Sequence, residues 1–288
     1  MSGDLLEVEH VTKRFAIGGL FRRSHFNAVD DVSFTVQAGR PEILAIIGES
    51  GSGKTTLARM ILNTLAPTSG AIRFRGEELL EARGRKRRLD FIRQIQPILQ
   101  NPYEAFNPLK RVDRYLYASA VRLAGIRSQK ARDEAVDAAL QKVGLSLGEV
   151  KGRFPHELSG GQLQRTAIAR ALISSPALIV ADEPVSMVDA SLRMSIVNLF
   201  KRLRDELQVS ILYITHDLAT AYYISDRVII MQKGKVIETG PASEVLIHPQ
   251  HPYSILLKES VLSPDDVGRG RLTLEHDGQA TPAGANAK

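Results

Sequence analysis

The run Gly48-Glu49-Ser50-Gly51-Ser52-Gly53-Lys54-Thr55 sets glycines, a lysine and a hydroxyl at the spacing of a loop that cradles phosphates. Glycines let backbone N–H groups come close to an anion, and the dipole of a helix starting near Lys54 favours negative charge there. Lys54 should reach the β- and γ-phosphates of a nucleotide. The Thr55 hydroxyl suits Mg2+, an ion that takes few protein ligands and keeps phosphate oxygens and waters around it. ATP is therefore the first ligand to expect, with Mg2+ beside it. A flexible glycine turn is the competing reading, but it leaves two features without a reason. These are the buried strand Ile43-Leu44-Ala45-Ile46-Ile47 before the loop and the helix continuing from Thr56 to Leu62 after it.

A second group of candidate residues ends an apolar strand. In Leu178-Ile179-Val180-Ala181-Asp182-Glu183 both carboxylates fall at the carboxyl edge of a sheet, where α/β proteins bind ligands. Asp182 is expected in the Mg2+ shell through water, and Glu183 is expected to polarise the attacking water as general base. His216 directly follows the apolar run at 211–215, so it should end beside the same ligand. Leu158-Ser159-Gly160-Gly161-Gln162 precedes an amphipathic helix over 163–173, and Ser159 with Gln162 three residues on fits a capping box. A plain helix start explains that pair; the two glycines suit the approach of a second phosphate group as well.

The elements that must position these groups indicate an α/β fold, a P-loop NTPase core with a mostly parallel, helix-covered sheet. Alternation over 5–15 and 28–36, around a loop at Gly18-Gly19, predicts an antiparallel β flank. A turn at 67–70 leads into a short strand at 71–74, the charged stretch 77–88 follows, and its basic cluster at 83–88 reads as solvated loop. Apolar positions three and four apart within 112–147 predict an inserted α-helical subdomain. Strands at 178–181, 210–215 and 227–231 then alternate with helices at 191–207 and 218–224. Residues 279–288 are rich in Ala, Gly and Pro and read as a disordered tail.

Composition removes several classes of function. None of the 288 residues is cysteine, which excludes disulfides, thiol catalysis and cysteine-ligated iron–sulfur clusters. The net charge of +6 is concentrated locally, at Arg22-Arg23 and within 83–88, without the interleaved aromatics of a stacking platform. Nucleic acid is therefore not an expected partner. No apolar run of about 18 residues occurs, and Met1-Ser2-Gly3-Asp4 lacks the order of a secretory signal, so a cytoplasmic location is expected.

In chain order the phosphate loop, Gln100, residues 158–162, Asp182-Glu183, Ser186-Met187-Val188-Asp189 and His216 resemble the ATP-binding subunit of an ABC transporter, over nearly the whole chain. The resemblance implies an ATPase cassette over 1–262, with a helical insertion at about 101–158 and a flexible extension at 263–288. It also implies a head-to-tail pair of cassettes, identical or different, with ATP sandwiched between them. Ser159 and Gly161 would then act across the interface, with Gly160 and Gln162 in the same nucleotide-binding segment. By the same resemblance Gln100 senses Mg2+ and the nucleophilic water, His216 contacts the γ-phosphate, Asp189 links the two sites and Phe15 stacks on adenine. For Phe15, packing on the β flank is the competing reading.

The further partners it implies are transmembrane permease subunits and, indirectly, an extracytoplasmic solute-binding protein, with this chain peripheral on the inner face of the membrane. Gln100-Asn101-Pro102-Tyr103-Glu104-Ala105-Phe106-Asn107-Pro108 and His251-Pro252-Tyr253-Ser254 are similar to segments of the oligopeptide, dipeptide and nickel importer branch. There the loop after Gln100 receives a coupling helix of the membrane subunit, which gives Tyr103 and Phe106 an expected role in transport. Peptides are the leading substrate class. The Ser186-Met187-Val188-Asp189 run also resembles branch members assigned to oligosaccharides. A soluble ABC protein of translation or DNA repair fits less well, because the chain carries neither a second cassette nor a long coiled-coil insertion.

Overall fold

The computed structural model describes residues 3–17, 24–79 and 85–261. The Gly18-Gly19 loop, the Arg22-Arg23 pair, Arg83 and the expected extension at 263–288 lie outside the described residues. The strands are β1 (Asp4–Ile17), β2 (Ser24–Gln37), β3 (Ile43–Ile47), β4 (Ser69–Phe74), β5 (Glu77–Glu78), β6 (Ile95–Ile98), β7 (Leu178–Asp182), β8 (Ser210–Thr215), β9 (Arg227–Gln232) and β10 (Lys235–Pro241). Among the described residues they form two sheets: an antiparallel flank in the order β2-β1-β4-β5, and a larger sheet in the order β10-β9-β3-β8-β7-β6. The larger sheet is parallel from β9 to β6, and β10 closes its edge antiparallel to β9.

Every side chain of β3 and of β8 is buried, as parallel strands covered on both faces require. Period-2 alternation divides their side chains between two layers. Leu44, Ile46, Leu178, Val180, Leu212 and Ile214 pack toward the β flank and helix α1 (Lys54–Ile61). Ile43, Ile179, Ala181, Ile211 and Tyr213 pack toward the helices on the opposite face. Those helices are α3 (Asp113–Arg122), α4 (Gln129–Lys142), α5 (Leu147–Val150), α6 (Gly160–Leu172) and α7 (Ala190–Leu207), with α2 (Arg85–Gln94) preceding them in the chain. The expected insertion therefore shares its core with the sheet through α6 and α7.

The basic stretch departs from the expectation of a solvated loop. Residues 85–88 begin helix α2, which is anchored by Phe91 edge-to-face on Phe74 at 6.2 Å while Lys86, Arg87 and Arg88 stay exposed. One aromatic contact with the flank outweighs the polar composition of this helix. Strand β6 follows at once and was not predicted; its four residues carry a proline, which an edge strand tolerates. At the C-terminal end, α8 (Leu218–Ile224), α9 (Ala242–Val245) and α10 (Pro252–Val261) cover β3 and β9 through Leu218, Ala221, Val245, Leu246 and Tyr253. No helix among the described residues is long and apolar enough to cross a membrane.

Candidate active site

Because β3, β6, β7 and β8 run parallel, the segments leaving them emerge at one edge of the sheet. The phosphate loop follows β3, Gln100 follows β6, Glu183 follows β7 and His216 follows β8. The topology thus gathers residues up to 168 positions apart in the chain.

The loop is pressed between its neighbours. At Gly53, with φ 107°, a Cβ would run into the carbonyl oxygen of Ala28 on β2. At Gly48 a Cβ would meet the Met231 carbonyl oxygen on β9 and lie 2.7 Å from Ser52 Oγ. Only glycine fits either place. Lys54 opens α1 with 5% of its surface exposed, and its Nζ donates to the carbonyl oxygens of Gly48 at 2.6 Å and Glu49 at 2.7 Å and to Ser52 Oγ at 3.3 Å. Burial draws the Lys54 pKa down, against the upward pull of the Glu183, Asp182 and Glu49 carboxylates. The buried ammonium at the start of α1, with the backbone N–H groups of the loop, is what suits the site to a polyphosphate; the carboxylates around it need a cation between them and the phosphates.

Asp182 ends β7 half-buried beside the Thr55 hydroxyl. Burial raises its pKa most, the Thr55 hydroxyl and Lys54 lower it, and the charge of Glu183 raises it. Glu183 turns out of the strand with φ 45°, a left-handed conformation that costs a non-glycine residue about 1–3 kcal/mol. The turn is held because Glu183 N–H donates to the Ile214 carbonyl at 2.9 Å, while Ser186 N–H and Oγ both donate to the Glu183 carbonyl. Its carboxylate then takes two partners: Gln100 Nε2 donates to Oε2 at 3.1 Å, and His216 Nδ1 lies 3.0 Å from Oε1. A small cleft lined by Glu183, Ser186, Arg193, Thr215 and His216 opens beside the pair.

Other residues singled out in the sequence stand apart from this cluster. Ser159 accepts from Gln162 N–H at 3.2 Å and Gln162 Oε1 accepts from Ser159 N–H at 3.0 Å, the expected capping box at the start of α6. Among the described residues no hydrogen bond ties either to the phosphate loop of the same chain. Gly161 has a reason within the chain, since a Cβ there would lie 2.8 Å from Leu192 Cδ1 on α7; Gly160 meets only Met187 O at 3.9 Å. Asp189 is exposed at the start of α7, next to Met187, which is 61% exposed.

Phe15 is half-buried, stacked on Phe26 with ring centroids 5.7 Å apart and with Lys13 Nζ 5.4 Å above its ring. It is not part of the flank's buried core. Phe106 departs from its expected role as a presented aromatic: it is 1% exposed, edge-to-face on Tyr115 and under the Arg170 guanidinium. Tyr103, at 48%, is the aromatic that the loop does present. One residue near the phosphate loop escaped the sequence reading in this respect. Tyr253 Oη accepts the Glu49 N–H at 3.0 Å, a contact between positions 204 apart that no spacing announces.

The family model described as "ABC transporter" matches residues 29–186. The oligopeptide transport ATP-binding protein OppF of Bacillus subtilis (strain 168) is 39% identical over 278 residues, covering 96% of this chain and 89% of that protein. AppF of the same organism, also described as an oligopeptide transport ATP-binding protein, is 40% identical over 89% of this chain and 78% of its own length. Among solved structures, the dimeric structure of MJ0796, a bacterial ABC transporter cassette, has a TM-score of 0.72 at 26% identity, covering 82% of this chain and 98% of that one. Its post-hydrolysis dimer bound to ADP and Pi has a TM-score of 0.71 with the same coverage. The gathered phosphate loop and carboxylates, with a matched family model and relatives aligned over 89% and 78% of their own length, place the chain in the ABC transporter family, as one of its ATP-binding subunits.

Proposed function

We propose that the chain hydrolyses ATP to drive the uptake of peptides through separate transmembrane permease subunits. The observation that carries this reading is the Glu183 carboxylate, held between Gln100 and His216 at the sheet edge where the phosphate loop also opens. Backbone N–H groups of Gly48, Ser50, Gly51, Gly53, Lys54, Thr55 and Thr56 cradle the phosphates, Glu49 and Ser52 shape the loop through their own N–H bonds to Tyr253 Oη and the Glu49 carbonyl, and Lys54 exchanges its carbonyl partners for phosphate oxygens. Glu183 takes a proton from water as the water oxygen bonds the γ-phosphorus. The bond from that phosphorus to the bridging oxygen breaks, and ADP leaves with the electron pair. Gln100 orients the water, and His216 meets the γ-phosphate from the other side of Glu183.

Thr55, Asp182 and Gln100 are the residues that would hold Mg2+. They offer hard oxygen donors, and the Thr55 hydroxyl already lies beside the Asp182 carboxylate. The ion would supply neutralisation of phosphate charge. Ser159 and Gly161, with Gly160 and Gln162 beside them, act on the ATP of a second cassette, a role supported by their separation from their own phosphate loop, and Asp189 links the two sites. The cassette spans 1–262 with its helical insertion at about 101–158, and 263–288 extend beyond it. It works on the inner face of the membrane, supplied by a solute-binding protein on the far side. The peptide assignment is supported by the named function of relatives 39% and 40% identical to this chain.

Vesicles carrying the permease, the binding protein and this cassette test the proposal. ATP-dependent accumulation of a labelled oligopeptide is the expected result. Accumulation of a labelled oligosaccharide instead would replace the substrate class, and absence of phosphate release from the assembled complex would remove the ATPase reading.

A further inference from the structure

The C-terminal turn His251-Pro252-Tyr253 lies far from the phosphate loop in sequence, yet it is built against it. Glu238 on β10 braces the turn by accepting Gln250 N–H at 2.9 Å on Oε1 and His251 N–H at 3.2 Å on Oε2. His251 Nδ1 accepts Tyr253 N–H at 3.1 Å, which fixes the first turn of α10 where Pro252 needs no donor. The Tyr253 ring, 5% exposed, sits in the apolar cluster that holds Ile47 on the strand before the loop and Leu218 and Ala221 on the helix after His216. From there its hydroxyl accepts the Glu49 N–H at 3.0 Å. The carbonyl of the same Glu49 accepts Lys54 Nζ at 2.7 Å and Ser52 N–H at 3.2 Å. One loop residue is thus tied on its N–H side to the C-terminal helix and on its carbonyl side to the phosphate-binding lysine.

We infer that Tyr253 is a positioning residue for nucleotide binding: its buried hydroxyl anchors Glu49, and through Glu49 sets the loop and Lys54 in the geometry that receives phosphate. The inference rests on the ATP reading of the site and adds to it a residue outside the phosphate loop, the Asp182-Glu183 pair and the 158–162 segment. Burial raises the Tyr253 pKa most, the Glu49 N–H lowers it, and the charge and hydrogen bond of the Glu49 carboxylate raise it again, so the neutral hydroxyl accepts the N–H and faces the side chain of the same residue. Anchoring acts before chemistry. Without it the loop must be ordered when the nucleotide arrives, which weakens binding and leaves the proton transfer at Glu183 as it was.

The test compares variants of the full chain. Tyr253→Phe keeps the ring and loses the hydroxyl, so the Kd for ATP, read by calorimetry, and the KM for ATP should both rise about three- to tenfold, the factor of one ordinary hydrogen bond. The kcat should stay within about twofold of wild type. Glu238→Gln leaves Tyr253 in place but removes one of the oxygens bracing the turn, and should move Kd in the same direction by less. Val245→Ala loosens the same apolar cluster without reaching the loop, and should lower the Tm at unchanged Kd. If Tyr253→Phe and Glu238→Gln lower only the Tm, as Val245→Ala does, the inference is overturned. A wild-type chain that binds ATP but releases no phosphate would count against the ATPase reading alone, because the Kd comparison still decides the role of Tyr253.

Discussion

His216 Nδ1 lies 3.0 Å from Oε1 of Glu183, although the two residues stand 33 positions apart and on segments leaving different strands. The contact holds the carboxylate in place against the strain of its left-handed backbone and leaves His216 exposed enough to meet a phosphate. Replacing His216 with alanine frees one carboxylate oxygen and, on the proposed role, removes a donor from the γ-phosphate. The kcat should fall by about 100- to 1,000-fold, as when one transition-state donor is lost, with little change in KM. A fall in ATP affinity at unchanged kcat would place His216 in ground-state binding instead.

Phe15 presents a π face that is shared with Phe26 at 5.7 Å and lies outside the buried core of the flank. Phe15→Ala should raise the KM for ATP through lost base stacking, worth about 1–3 kcal/mol, and leave the Tm nearly unchanged. Steady-state kinetics and a thermal melt on the same preparation separate the possibilities; a lowered Tm at constant KM would mean the ring packs only against its own hairpin.

The loop after Gln100 divides its two aromatics by burial. Phe106→Ala should reduce folding stability by about 3–5 kcal/mol, because it empties a site 1% exposed between Tyr115 and Arg170. Tyr103→Ala should leave stability and basal ATPase nearly intact and reduce peptide uptake in the assembled transporter. Equal losses of uptake and ATPase for Tyr103→Ala would argue against a contact with the membrane subunit.

Much of this was legible in the sequence, for physical reasons that differ between elements. The strand at 43–47, the strand at 210–215 and the helix at 218–224 coincide with observed elements because continuous apolar runs and capping residues are local signals. Helix α2 was missed because its mean composition is charged and its stability comes from Phe91 meeting Phe74, a tertiary contact. Strand β6 was missed because four residues with a proline carry no periodicity, and only pairing with β7 defines them. At the site, the loop and carboxylates follow from spacing. The distinction between Tyr103 and Phe106 and the reach of Tyr253 to Glu49 depend on packing that spacing does not encode.

Asp182 links the site to stability. Burial raises its folded pKa above the ordinary carboxyl value of 3.8, so the folded chain carries a penalty for the ionised form. That penalty is absent below the unfolded pKa, grows as the pH rises through the interval up to the folded pKa, and is fully present above it. Asp182→Asn should therefore raise the Tm of the nucleotide-free chain at neutral pH, and the gain should vanish toward pH 3.8. It should also abolish the response of ATP binding to Mg2+. Melts across this pH range check the first point; a variant less stable than wild type at neutral pH would show that the contacts of Asp182 outweigh its burial.

The role of Glu183 is tested most directly by single-turnover phosphate release from Glu183→Gln, measured with saturating ATP and Mg2+ alongside ATP binding to the same protein. Glutamine keeps the size of the side chain and an oxygen to accept from Gln100 or His216, but it cannot take a proton from water. Release should slow by about 100- to 10,000-fold while the Kd for ATP stays close to wild type. Release within about tenfold of wild type, from a variant that still binds ATP, would contradict Glu183 as the general base.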